Sequence, residues 1–219
     1  MKNFSFYSIL LLLNILLSCE GNKRVDKSIV EEVTKANEVK KVSEAEIATF
    51  AMEWGDEISI AAQEALMGAL GKAIEERGIE GAIGFCNEEA LPITREVAEK
   101  YKVDVRRVSL KNRNPGNYPN ENEKQILEAY AYNDENKQEN RPNIQKIDEG
   151  ETLLYTKAIK IPGGLCLNCH GEPGKEIQEE TLESIQSLYP EDKAVNYKVG
   201  QLRGMWSISL PKKELIRNM

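Results

Sequence analysis

The chain has 219 residues, a formal net charge of −7, 41% hydrophobic residues and 30% charged ones. That balance supports a folded core and argues against a disordered chain. The acidic excess excludes nucleic acid as the main partner, because phosphate binding needs clustered positive charge.

The N-terminus reads as an export signal rather than as part of a domain. Lys2 supplies a positive start, and Phe4 to Leu17 is apolar apart from Ser5, Tyr7, Ser8 and Asn14. The stretch closes on Leu16-Leu17-Ser18-Cys19, which resembles a bacterial lipobox. Residues 1–18 are therefore expected to be a lipoprotein signal peptide, and Cys19 the lipid attachment point. Residues 19–43 are expected to be a polar tether and 44–219 the domain. The plainer alternative is secretion with cleavage near Ser18 and an incidental Cys19. The expected location is a bacterial membrane surface, held by the lipid and facing the periplasm. No second membrane span is expected, since no later stretch is long and apolar enough.

The domain opens with a sharp helix start. Ser43 with Glu46 fits a capping box. Ile47, Phe50, Trp54, Ile58, Ala61, Ala65, Leu66, Leu70 and Ile74 recur at helical spacing, predicting a helix that ends near Gly78. Ile79, Ala82, Ile83, Cys86 and Ala90 share the face of a second helical piece. Pro92 starts or kinks its next turn, and Ile93, Val97 and Tyr101 continue the face. Val103 to Leu110 alternates as a strand, and Lys111 to Asn122 has the turn chemistry of a loop. Asn120 and Glu123 predict the cap of a short helix carrying Ile126, Leu127 and Tyr130. Thr152 to Ile161 is a strand ended by Pro162-Gly163-Gly164, and Glu176 to Leu188 is helical. Gly204 to Leu210 alternates Trp206, Ile208 and Leu210 against Met205, Ser207 and Ser209, which predicts a half-buried strand. Helices first and strands late imply an α+β fold with an antiparallel sheet.

Cys166-Leu167-Asn168-Cys169-His170 is a C-x-x-C-H motif, the attachment signature of c-type haem. Two thiols at this spacing add to the two vinyl groups of one haem, and the histidine that follows reaches one axial face of the iron. With 4 Cys and 1 His in the chain, a chance occurrence is on the order of 0.0003. The competing readings are a disulfide, a thioredoxin-like pair without the βαβ context it needs, and a zinc site short of a fourth ligand. The expected cofactor is one covalently bound haem c.

His170 is the only histidine, so bis-histidine ligation within one chain is excluded. The other axial position is open, or held by Met, Cys, Lys, Tyr or an amine. Met52, Met67 and Met205 are candidates. Cys86 has two readings, a small buried hydrophobe or a thiolate ligand, and composition favours the first. A basic run, Lys100, Lys102, Arg106, Arg107, Lys111 and Arg113, precedes the motif. Arg107, Lys111 or Arg113 could hold the haem propionates, unless the run is a solvated face.

Beyond the motif, ordered blocks carry a resemblance. They are Gly84-Phe85-Cys86-Asn87 with Ala90; Arg106 to Pro115 (RRVSLKNRNP) with Asn117 and Pro119; Cys166 to Gly171; Tyr189-Pro190 with Asp192, Lys193 and Ala194; and Val199 to Gly204 (VGQLRG). Over Glu44 to Lys212 the chain resembles the exported c-type haem domains with a PAS-like fold, a family of unknown function. Members occur as free cyanobacterial and other bacterial cytochromes and as sensor portions of signalling proteins. Gln201 departs from the acidic residue expected in the pattern. The resemblance implies a PAS-like α+β domain with an antiparallel sheet and a long N-terminal helix. It also implies axial ligation by His170 and Cys86, reversing the preference for a merely buried Cys86. The function then expected is a redox or small-gas sensing module, with a separate redox or signalling protein as partner and a small gas as ligand. The alternative is a small electron-transfer cytochrome. An enzyme is not expected, because no histidine remains for acid–base work after His170.

Overall fold

The computed structural model describes residues 26–30 and 42–219. The expected signal peptide and Cys19 lie outside the described residues. Residues 26–30 hold a short helical turn in which the Asp26 carboxylate accepts from the backbone N–H and hydroxyl of Ser28. Val42–Met219 forms a compact unit. Among the described residues no helix is long and apolar enough to cross a membrane.

Helix α1 (Glu44–Tyr101) begins at the predicted capping box. The Ser43 hydroxyl accepts the Glu46 N–H at 3.2 Å, and the Glu46 carboxylate accepts the Ser43 N–H at 2.8 Å. The element has 58 residues but is not one rod, because Gly78 interrupts it at φ 71°, ψ 179°, a conformation that suits only glycine. The Tyr101 hydroxyl donates to Glu57 at 3.0 Å across a separation of 44 residues. An unbroken helix would hold those two residues roughly 66 Å apart. The chain therefore reverses at Gly78 into a helical hairpin, and the Tyr101 ring packs edge-on to Trp54. Pro92 lies inside the return arm without ending it. The carbonyl it leaves without a helical donor belongs to Glu88, which is exposed and reaches water.

Four antiparallel strands follow: β1 (Asp104–Val108), β2 (Asn143–Ile147), β3 (Thr152–Lys160) and β4 (Leu202–Pro211), in the order β1-β4-β3-β2. This is the expected α+β class, with its antiparallel sheet and long N-terminal helix. Trp206, Ile208 and Leu210 face α1 in one core cluster with Val105, Leu153 and Tyr155. Val108, Leu154 and Met205 face the other way, onto Ile126, Leu127 and Tyr130 of α2 (Glu121–Glu135). The half-buried strand expected at 204–210 is thus corrected: Met205 and Ser207 are as buried as their neighbours, because α2 covers the second face.

Burying Ser207 is tolerated because its hydroxyl donates to Glu123 at 2.7 Å. Glu123 is itself buried, pairs with Arg106 at 2.9 Å and accepts the Asn120 N–H at 2.8 Å as the predicted cap. One carboxylate therefore caps α2, neutralises Arg106 and satisfies β4. Three short helices, α3 (Gly164–His170), α4 (Glu179–Leu188) and α5 (Lys212–Asn218), and two 3-10 turns, Pro115–Asn117 and Asp148–Gly150, complete the unit. The helix predicted from Glu176 starts later, because Gly174 at φ 78° turns its N–H onto the Ile177 carbonyl first.

Gly55 lies where α1 crosses Tyr155, and a Cβ there would meet the ring at 2.3 Å. Gly55→Ala is expected to cost about 1–3 kcal/mol by overpacking, read as a lower urea midpoint at unchanged slope. Gly68→Ala, where a Cβ meets nothing within 4 Å, is the control and should gain up to about 1 kcal/mol of helix propensity.

Candidate cofactor site

The C-x-x-C-H motif forms α3, a single seven-residue helix. Gly163 starts it, and the Gly171 N–H closes it onto the Leu167 carbonyl at 2.8 Å. Helical spacing puts Cys166 and Cys169 on adjacent turns of one side. Cys166 packs beside Ile161, Ala194 and Tyr197, and Cys169 beside Ile83, Ile177, Ile185 and Tyr189. Cys86, Cys166 and Cys169 are free thiols, each partly buried. Burial pushes the Cys169 thiol up to about 11, with Arg113 opposing it.

His170 Nδ1 lies 2.7 Å from the Ala194 carbonyl oxygen. A carbonyl only accepts, so the ring proton sits on Nδ1 and Nε2 presents a bare lone pair. Burial, with Arg203 and Arg113 adding to it, holds the imidazole neutral well below the usual histidine range. Tyr197 packs edge-on to the ring at 6.2 Å between centroids.

Ala194 is placed by Arg113. That guanidinium grips both oxygens of Asp192, at 3.2 and 3.0 Å, and donates to the Cys169 carbonyl at 2.6 Å and the Ala194 carbonyl at 3.4 Å. Asp192 in turn accepts the Ala194 N–H at 2.8 Å. The Tyr197 N–H donates to the His170 carbonyl and the Asn196 N–H to the Gly171 carbonyl, each at 2.8 Å. Residues 189–197 are thereby laced to α3 along its C-terminal end.

Cys86 arrives from the return arm of α1. It lies one helical turn beyond Ile83, which packs in the Cys169 cluster. Burial raises its thiol, and Arg107, then Arg113, oppose the rise. A charge on Cys86 bears on Cys169, Tyr189 and Arg107 in turn. The methionines are elsewhere: Met205 is sealed in the α2 cluster, Met52 packs on the α1–sheet cluster, and Met67 is 38% exposed.

The three basic candidates differ in what they already hold. Lys111 donates to the Val195 carbonyl at 2.9 Å and sits over the Tyr197 ring at 4.4 Å. Arg113 is committed as described. Among the described residues the Arg107 side chain has no hydrogen-bond or ion-pair partner, and it lies 5.9 Å from the ring of Trp206, its cross-strand partner. Arg203, which sequence reasoning did not single out, completes the set. Its Nη1 donates to the Lys111 carbonyl at 3.2 Å, its guanidinium lies 5.5 Å over Tyr197, and its buried Nε has no hydrogen-bond partner. Burial lowers its pKa to about 10. A lone arginine near the start of a strand has no local signature. Its only signal was its place in the VGQLRG block.

No group of three or more His, Cys, Asp or Glu side chains among the described residues could hold a bare metal ion. The arrangement instead fits a group that brings most of its own iron ligands, is fixed by two thiols and carries negative charge. A covalently held haem would meet all three conditions: Cys166 and Cys169 would attach it, His170 would offer the lone pair of Nε2, and Arg203 has a buried donor unpaired.

The family described as Tll0287-like matches residues 23–211 of the chain. The solved structure of the cyanobacterial haem-protein Tll0287 is 25% identical, covering 66% of this chain and 94% of its own, with a TM-score of 0.45. No curated protein matches.

Asp192→Asn should leave Arg113 buried without a counter-ion, at a cost of about 3–5 kcal/mol in a denaturant titration. Replacing both partners by apolar residues should recover most of that loss. A double variant as unstable as the single one would show that the pair's role is not electrostatic.

Proposed function

The chain belongs to the Tll0287-like family, and on that premise we propose that it is an exported, membrane-anchored c-type haem protein acting as a redox or small-gas sensing module. In this reading Cys166 and Cys169 hold one haem covalently, His170 and Cys86 are the axial ligands, and Cys19 carries the lipid. The observation that carries it is the 2.7 Å hydrogen bond from His170 Nδ1 to the Ala194 carbonyl, which aims the free Nε2 as an iron ligand requires.

Bound there, a c-type haem would supply one-electron iron chemistry and an axial position for a small gas. The side chains do the rest. Arg113 and Asp192 fix the carbonyl that orients His170. Cys86 offers a thiolate, a stronger donor than methionine, which favours the oxidised metal and lowers the potential. Arg107 and Arg113 stabilise that thiolate against the burial that disfavours it. Taking up a proton at Sγ would weaken Cys86 as a ligand and free its position, which is what a sensor needs. The single histidine is committed to the metal, so none is left for acid–base catalysis and the role is non-enzymatic. The output passes to a separate redox or signalling protein.

The lacing of residues 189–197 to α3 favours a second reading, a small electron-transfer cytochrome, because rigid ligands keep the reorganisation on electron transfer small. Refusal of carbon monoxide by the reduced protein would favour this reading, and rapid binding the sensor.

Electron paramagnetic resonance of the ferric protein should show a low-spin thiolate signal that disappears in Cys86→Ser. An unchanged spectrum sinks the ligand assignment. For the anchor, Cys19→Ser should move the protein from the membrane fraction to the soluble fraction of exported protein. Retention in the membrane sinks lipidation at Cys19.

A further inference from the structure

The described arginines divide by what neutralises them. Arg106, Arg113, Arg141 and Arg217 pair with Glu123, Asp192, Glu139 and Glu214. Arg77 and Arg95 are exposed to water. Arg107 and Arg203 are partly buried and neither pairs with a carboxylate. A desolvated guanidinium without an anion is costly, and arginines are seldom sunk into a protein that way.

The charge of each reaches the motif histidine, Arg203 more strongly than Arg107. Arg203 lies 5.5 Å over the Tyr197 ring, which also packs in a T-shaped contact with His170 at 6.2 Å between centroids. Arg107 projects from β1 beside Trp206, on the sheet face that α1 covers. The carboxylate whose field reaches Arg203 is Asp192, but its oxygens are taken by Arg113 and the Ala194 N–H. No carboxylate among the described residues completes the two cations, and the groups whose charge reaches Arg107 are the Cys86 thiol and the Tyr189 hydroxyl, so the carboxylates they lack come with a ligand. A guanidinium fork binds a carboxylate through two parallel hydrogen bonds, and Arg203 has Nε unpaired for one of them.

We propose that Arg203 and Arg107 are the carboxylate-binding pair of this site and take the two propionates of the haem, while Lys111 and Arg113 are spent on protein oxygens. This rests on the haem reading above. It moves the propionate role off two of the three residues that the basic run before the motif suggested, and onto one that the run does not contain. Lys111 keeps Val195 and Tyr197 in place, and Arg113 positions His170.

The test is a pH titration of holoprotein whose haem carries 13C at the propionate carboxyls, followed by NMR. A nearby arginine depresses a carboxyl pKa by about 1–3 units. In Arg203→Gln one propionate should therefore titrate about 1 unit or more above its wild-type value, and in Arg107→Gln the other should. Arg203→Lys, which keeps the charge and loses the fork, should fall between, and it serves if the Gln variant does not fold. Arg141→Gln, at an exposed pair remote from the motif in sequence, should match wild type. Unchanged propionate titration in both arginine variants overturns the assignment, as does a shift that appears in Lys111→Gln instead. Absence of covalent haem from the wild-type protein, read as the pyridine haemochrome, overturns the underlying reading as well.

Discussion

Asp192 and Arg113 form the contact that the rest of the site depends on. A single guanidinium ties the backbone of Cys169 to the segment that carries Ala194, and Ala194 turns the His170 imidazole. The side chains of the pair are 11% and 8% exposed, so neither charge has water to fall back on. Such a pair adds little net stability, but leaving one partner alone is expensive. Its contribution is specificity: it selects one orientation of the imidazole from those a short helix end would permit.

Around that pair the fold performs two long-range tasks. The reversal at Gly78 returns the chain so that Cys86 lies beside the motif helix, although 80 residues separate it from Cys166 in sequence. The sheet register sets Arg107 opposite Trp206 on the same face, so the cation that moderates the Cys86 thiol comes from β1. On the reverse face Glu123 joins α2, β1 and β4 through one carboxylate. The site is therefore assembled from α1, β1 and the loop after it, α3, the loop before β4 and the start of β4, and no contiguous stretch contains it.

What could be read in the sequence was local. Ser43 with Glu46 and Asn120 with Glu123 announce their helices because a cap is decided within four residues. The motif announces itself because its chemistry demands fixed spacing. Cys86 was ambiguous by composition, since a half-buried thiol on an apolar helix face looks the same whether it packs or ligates. Only its place among the ordered blocks separated the two. Arg203 escaped notice because what marks it is an unpaired buried Nε and the want of a carboxylate partner, and that is a three-dimensional property. Strand β2 was missed because Asn143, Gln145 and Lys146 dilute its pattern at a sheet edge, and α5 because Leu215 is the one fully buried residue in a single short helix. The second burial of β4 was illegible for a different reason: Ser207 reads as solvent-facing until Glu123 is seen to satisfy it.

The central position of β4 has a consequence for timing. Strand β1 hydrogen-bonds only to β4, and β3 gains its second neighbour only there. Both must wait for a segment made well after the motif, and pairings so distant in sequence close slowly. The same segment supplies the Arg203 carbonyl that receives the Ser109 hydroxyl, and the loop that laces down α3 lies just ahead of it. Most of the residues that partly bury the thiols also follow the motif in the chain, Ala194 and Tyr197 beside Cys166 and Ile177, Ile185 and Tyr189 beside Cys169, so both thiols are uncovered until that segment has been made. The order of segments along the chain leaves the pair accessible until α4 and the loop ahead of β4 have been made, and covers it as they pack.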